Sequence, residues 1–315
     1  MAASVAGEVR APDGRPAGAD AGEERAFERN TSGEGGSVRR LRAPGEVRRV
    51  PAMDATVMAP GFFGVDDRRL FCVRHLPRKE RADAVVLMCP PLLHEHMRSY
   101  RFFSQLAGMI ADRGMACVRF DYFGTGDSEG DESAFDPEGA SRDLVLAAAA
   151  ARSVAPGAPL YLMATRASAL FAWRQAASLG AAALWLWQPV VDGARYVETL
   201  RERHASERNS RLRYPRARAA APGNPDDLMG YRLPSRFPAQ MQALRLDGDP
   251  GVPVALFDTA AGGEGPIHAD ARFVLPDALQ RWTTEIDLDG LIPLGGLQDV
   301  LEQVTQWQPE RRAHG

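Results

Sequence analysis

Apolar positions along this chain fall into two alternating rhythms, and its first stretch has neither. Residues 1–55 contain segments such as APDGRPAGADAGEER and RNTSGEGGSVRR, where apolar positions follow no period. Such a composition buries too little surface to offset chain entropy, so a disordered tail is expected there. Order is expected from near Ala59, within a domain covering residues 56–315. FFGVDDRRLFCVRHLP reads as two strands around an Asp-Asp turn. AVVLMCPP, MACVRFDYFG, AALWLWQPV, VPVALFD and ARFVL, with a strand at 160–164, are short apolar runs of the kind that fill a buried parallel sheet.

Helical spacing fills the gaps between these runs. SYRFFSQLAGMIADRG offers Ser99 as a candidate N-cap and Gly114 as a stop. PEGASRDLVLAAAAARSV carries Pro137 near its first turn. A helix is expected over 167–179, and LGGLQDVLEQVTQWQ closes the chain. Strands alternating with helices predict a mostly parallel central sheet with helices on both faces. Residues from about 192 to 246 break the rhythm and read as an inserted lid. Its arginines (Arg201, Arg203, Arg208, Arg211, Arg213) fit an acidic ligand or partner and a solvated basic surface equally well.

Composition narrows the partners. A formal net charge of -3 and a pI near 6.1 exclude nucleic acid as a bulk partner. No apolar run is long enough to span a membrane and no signal-peptide core is evident, so a cytoplasmic protein is expected. Cys72, Cys89 and Cys117 sit in apolar runs without metal-like spacing, the pattern of buried thiols. His94 and His96 form a His-x-His pair, but no second ligand cluster accompanies it. No metal and no cofactor are expected.

Candidate chemistry gathers where ligands bind such sheets, beyond the carboxyl ends of the strands. LYLMATRASALFA reads as strand, tight turn and helix, the form of a nucleophile elbow. Laid on G-x-S-x-G, it puts Ala164 and Ser168 at the glycines and Arg166 at the nucleophile. A guanidinium stays protonated and has no lone pair to attack with. Ser168 and Cys89 are weak substitutes. The usual base position, after the last strand, is empty: no histidine lies between ARFVL and His314. His268 precedes that strand, and Asp258 and Glu264 are the acids near the usual acid position.

The loop PPLLHEHMRSYR lies where this architecture places half of an oxyanion hole. Pro90 and Pro91 cannot donate, so Leu92 is the first residue that can. The expected ligand-facing set is Leu92, Glu95, Thr165, Arg166 and Ala167. Catalytic candidates are His94, Glu95, Ser168 and His268. Two roles stay open for Arg166: holding an anionic ligand, or pairing with an acid such as Glu95 or Asp127. In RFDYFGTGDSEG, Asp121, Asp127 and Ser128 are expected to hydrogen-bond their own turn and brace the elbow.

These motifs together resemble the α/β-hydrolase superfamily over roughly residues 60–290. Within it the chain looks most like the second type of exosortase A system-associated hydrolases. The likeness rests on Pro90, Pro91, Glu95, Ser99 and Arg101; on Asp121, Gly124, Gly126, Asp127 and Ser128; on Arg166; and on WQPV and GYRLP. It implies a three-layer α/β-hydrolase fold and a hydrolase or acyl-transfer label, without naming a substrate. Two functions follow as expectations. One is an ester or thioester hydrolase, or an acyl-transfer protein, lacking the standard Ser-His-acid triad. The other is a non-catalytic protein of this fold that binds an anionic small molecule or a protein partner.

Overall fold

The computed structural model describes residues 57–209, 227–263, 265, 267–279 and 296–307. The expected tail lies outside these residues, as do Arg211, Arg213, Glu264 and His314. Among the described residues, eight strands form one sheet. They are β1 (Val57–Val65), β2 (Arg68–Leu76), β3 (Val85–Cys89), β4 (Ala116–Phe120), β5 (Leu160–Thr165), β6 (Ala183–Trp187), β9 (Val254–Thr259) and β10 (Ala271–Leu275). A separate hairpin holds β7 (Asp227–Leu228) and β8 (Tyr231–Arg232). The order is β1-β2-β4-β3-β5-β6-β9-β10, and within this sheet β2 runs against the others. That is the sheet of an α/β-hydrolase.

The pleat sorts each strand's apolar side chains between two cores. Val85, Leu87, Leu162, Ala164, Leu184 and Leu186 face one core, under α2 (Pro137–Val154) and α3 (Ala169–Gln175). Val86, Met88, Met163, Trp185 and Trp187 face the other, under α1 (Leu93–Asp112) and α6 (Leu297–Gln306). Continuous apolar strands are what this two-sided burial requires. Helix termini follow local chemistry. Asp136 caps α2 by accepting from Gly139 N–H at 2.7 Å, with Pro137 next in line. Gly114, at φ +90°, ends the segment after α1.

Two boundaries differ from the sequence reading. α1 starts at Leu93, directly after the Pro-Pro pair, so Ser99 is internal and caps nothing. Its hydroxyl donates back to the Glu95 carbonyl at 2.7 Å, which satisfies a serine inside a helix. The elbow helix opens with a short 3-10 turn, Arg166–Ser168, and α3 stops at Gln175. Between β6 and β9 the chain forms α4 (Gly193–Arg208), the hairpin and α5 (Arg236–Gln242). Asp192 caps α4 through the Ala194 and Arg195 amides.

Candidate functional site

The elbow turn is sharp enough to force a left-handed backbone on Arg166, at φ +52°. A non-glycine residue held there stores strain on the order of 1–3 kcal/mol. Ala164 and Ser168, both with no exposed surface, leave room for the turn. Among the described residues three further non-glycine residues have positive φ: Leu93, Gln188 and Met229. Leu93 and Gln188 flank the same place, one before Glu95 and one at the end of β6.

Arg166 is tied to both neighbourhoods. Its Nε donates to Glu95 Oε1 at 3.1 Å, and a terminal nitrogen donates to the Gln188 carbonyl at 2.9 Å. Its own carbonyl accepts from Val190 N–H at 3.2 Å. Of the two roles open for Arg166, the structure shows the ion pair with Glu95, whose side chain is only 4% exposed. Glu95 stands in the first turn of α1, where a carboxylate also meets the favourable end of the helix dipole.

His94, one residue before, sits in a positive field. Its Nε2 lies 3.1 Å from an Arg203 guanidinium nitrogen of α4. Burial, and then the charges of Arg203, Arg98 and Arg166, push its pKa down to about 3. The imidazole is therefore neutral at ordinary pH. With Nε2 accepting from Arg203, the proton resides on Nδ1. Nδ1 is buried, and among the described residues nothing accepts from it.

The remaining candidates are placed as follows. Leu92, Thr165 and Ala167 are all buried at the junction of the β3 loop and the elbow. Ser168 is fully buried; its hydroxyl donates to the Pro90 carbonyl and accepts from Tyr122 Oη at 3.0 Å. Burial pushes the Cys89 thiol far up, away from a thiolate. His268 is exposed and precedes β10, whose first residue pairs with Ala255 near the start of β9. That is the opposite end of the sheet from Arg166. Asp258, on β9, accepts from its neighbour Thr259 N–H at 2.8 Å. No group of three or more His, Cys, Asp or Glu among the described residues is arranged to hold a metal.

The glycine-rich turn after β4 bonds to itself as its sequence implies. Asp121 Oδ2 accepts from Asp127 N–H at 3.0 Å, and Ser128 donates to the Asp121 carbonyl at 2.6 Å. The other carboxylate oxygen, Oδ1, lies 3.2 Å from His96 Nε2. This pair lines a pocket of about 700 Å³ between α1, the turn and the hairpin, at the carboxyl end of the sheet. A second cavity of about 780 Å³ opens at the amino ends of the strands, beside Asp83, Pro159 and Pro253. Sheets of this class bind ligands at the carboxyl end, which favours the first.

Sequence reasoning missed Gln188, Tyr122, and Asp121 as the partner of His96. Gln188 follows an apolar strand, and nothing local marks its left-handed backbone. Tyr122 reads as one more core aromatic. Asp121 reads as a turn residue, and its second contact crosses from another element. No helix of the described residues is long and apolar enough to cross a membrane.

No family model matches the chain, and no curated protein matches it. Among solved structures it is similar to an α/β serine hydrolase without lid from Xanthomonas campestris, at 20% identity over 64% of this chain and 72% of that one, TM-score 0.38. It is also similar to Est1E of Butyrivibrio proteoclasticus with ferulic acid bound, at 16% identity over 64% and 80%, TM-score 0.46. An α/β serine hydrolase homologue from Coxiella burnetii matches at 15% identity over 64% and 74%, TM-score 0.39. The chain's own strand order, strand directions and strand–turn–helix at Thr165–Ala169 are those of the α/β-hydrolase fold.

Proposed function

We propose that this α/β-hydrolase-fold protein binds an anionic small molecule beside its elbow, such as a carboxylate, a phosphate or a sugar acid. The observation that carries this reading is the buried Nδ1 of the half-buried His94. Its Nδ1–H is a donor without an acceptor among the described residues, in the combined field of Arg98, Arg166 and Arg203. A buried unsatisfied donor costs about 1–3 kcal/mol. An anion accepting from it would remove that cost and gain charge-assisted bonds from the guanidinium groups. Clustered positive φ at Leu93, Arg166 and Gln188 supports the same place, because such strain concentrates at functional sites.

Ester or thioester hydrolysis, or acyl transfer, is the second reading. The fold favours it, and so does the likeness of the Pro-Pro loop and the Asp121–Ser128 turn to exosortase-associated hydrolases of the second type. The attacking group in that reading is not an elbow serine, since Arg166 occupies the seat.

Thermal shift with acetate, citrate and inorganic phosphate tests the anion site at constant ionic strength. At least one should raise the wild-type Tm, and His94→Phe or Arg166→Ala should lose that rise. If no anion stabilises the wild type more than these variants, the anion site is wrong.

A further inference from the structure

We infer that His96 and Asp121 form a base and its orienting carboxylate, which activate water for hydrolysis of a neutral ester in the 700 Å³ pocket. This goes beyond the anion site and uses different residues.

The acid is fixed from several directions. Asp121 N–H donates to the Phe71 carbonyl at 3.0 Å, and its carbonyl accepts from Ser128. Its Oδ2 takes the Asp127 amide, and Gly126 packs so closely that a Cβ there would lie 2.2 Å from that oxygen. Its Oδ1 is left to His96. The base is fixed too. It stands on the rigid first turn of α1, and its ring stacks on Tyr100 with centroids 5.9 Å apart. A base within hydrogen-bond reach of a single orienting carboxylate, in the pocket where ligands of this fold bind, is the arrangement general-base catalysis needs.

The nearby carboxylate also favours one tautomer. With Oδ1 3.2 Å from Nε2, the carboxylate favours the proton on Nε2, which leaves the lone pair on Nδ1. His96 lines the pocket, and among the described residues its Nδ1 makes no hydrogen bond. A water there would pass a proton to Nδ1 as its oxygen adds to the ester carbonyl carbon. Collapse of the tetrahedral species breaks the bond to the alkoxide, and the imidazolium returns the proton to it. Water and ester become acid and alcohol, with no other reactant.

The pocket's walls define the substrate class. Leu93, Met97, Tyr100, Phe135, Tyr231 and Leu233 supply apolar surface for an acyl or aryl group. Asp127, Asp131 and Glu132 line it with negative charge, which disfavours an anionic substrate and repels the carboxylate product. His96 is the catalytic residue, and Asp121 is a positioning residue.

The test uses the full chain with p-nitrophenyl acetate, butyrate and octanoate. Wild type should hydrolyse at least one above the buffer rate, and a fluorophosphonate probe should leave no adduct. His96→Ala should lose on the order of 100-fold or more, the usual worth of a general base. Added imidazole should restore part of that loss, which a merely structural role would not allow. Nitrogen NMR of the histidine ring should show Nε2–H, and Asp121→Asn should change the tautomer balance. No turnover of any of the three esters overturns the inference. So does a folded His96→Ala with wild-type rate, absence of imidazole rescue, or a probe adduct mapped to a serine. Failure here leaves the anion-dependent Tm shift unaffected, so the two readings fall separately.

Discussion

Arg166 and Glu95, 71 residues apart in sequence, meet at 3.1 Å where a serine hydrolase of this fold would place its nucleophile. Their side chains are 16% and 4% exposed, so the pair lies largely out of water. Removing one partner of a buried pair costs roughly 3–5 kcal/mol, because the survivor's buried charge loses that partner. Arg166→Ala and Glu95→Ala should each lower the unfolding free energy on that scale. The double variant should lose clearly less than the sum. Urea denaturation of all four proteins gives the coupling energy, and strict additivity would refute the pair.

One buried and one half-buried histidine make stability depend on mild acid. Burial, and then the Arg119 charge, push the pKa of His75 down to about 4, while His94 is pushed down to about 3. Both start from 6.5. Their folded pKa values lie below the unfolded value, so the unfolded chain binds the protons first. Stability from these groups is therefore full above pH 6.5 and is lost as pH falls toward 4 and 3. The slope is about 1.4 kcal/mol per pH unit for each histidine. Between pH 6.5 and 5 the two together should cost roughly 3 kcal/mol. Urea midpoints across that range measure it. His75→Gln with His94→Gln should start less stable and show a flatter slope; an unchanged slope would assign the pH dependence to other groups.

The fold was legible because its main signals are local. The apolar runs around Val85–Cys89, Leu160–Thr165 and Ala183–Trp187 are strands, as their periodicity implies. Pro137 and Gly114 mark ends that the structure keeps. Ser99 misled because a serine N-cap and a serine bonded back to the previous turn look alike without the partner carbonyl. The elbow was readable from small residues around Arg166. What Arg166 touches was readable only as a pair of alternatives. The Gln188 carbonyl, the Arg203–His94 contact and the Asp121–His96 contact each join elements that are distant in sequence. No spacing rule within one element reports such contacts.

Ser168 gives a case where burial and chemistry can be separated. Its hydroxyl bridges the Pro90 carbonyl and the Tyr122 phenol inside the core, and burial pushes the Tyr122 pKa well up. Ser168→Ala leaves the phenol without its acceptor and should cost about 1–3 kcal/mol. Tyr122→Phe removes the donor instead and should cost less, since Ser168 keeps the Pro90 carbonyl. Any esterase turnover should survive Ser168→Ala unchanged. A variant that stays folded but loses turnover would make Ser168 the nucleophile.

Gly193 opens α4 against the end of α5, and the space beside it is already taken. A Cβ there would lie 1.9 Å from the Met241 carbonyl oxygen and 3.1 Å from that of Leu244. Both are backbone atoms, so no flexible side chain can move aside. Gly193 N–H also donates to the Leu244 carbonyl at 3.0 Å, which fixes the approach. Alanine normally favours a helix over glycine by about 1 kcal/mol. Here the clash should reverse that sign, because overpacking of a closed contact costs typically 1–3 kcal/mol. Gly193→Ala should therefore lower Tm and the urea midpoint. A helix-propensity control at Gly108, where an added Cβ meets nothing within 4 Å, should raise them. If both alanines stabilise equally, the α4–α5 contact is looser than its geometry shows.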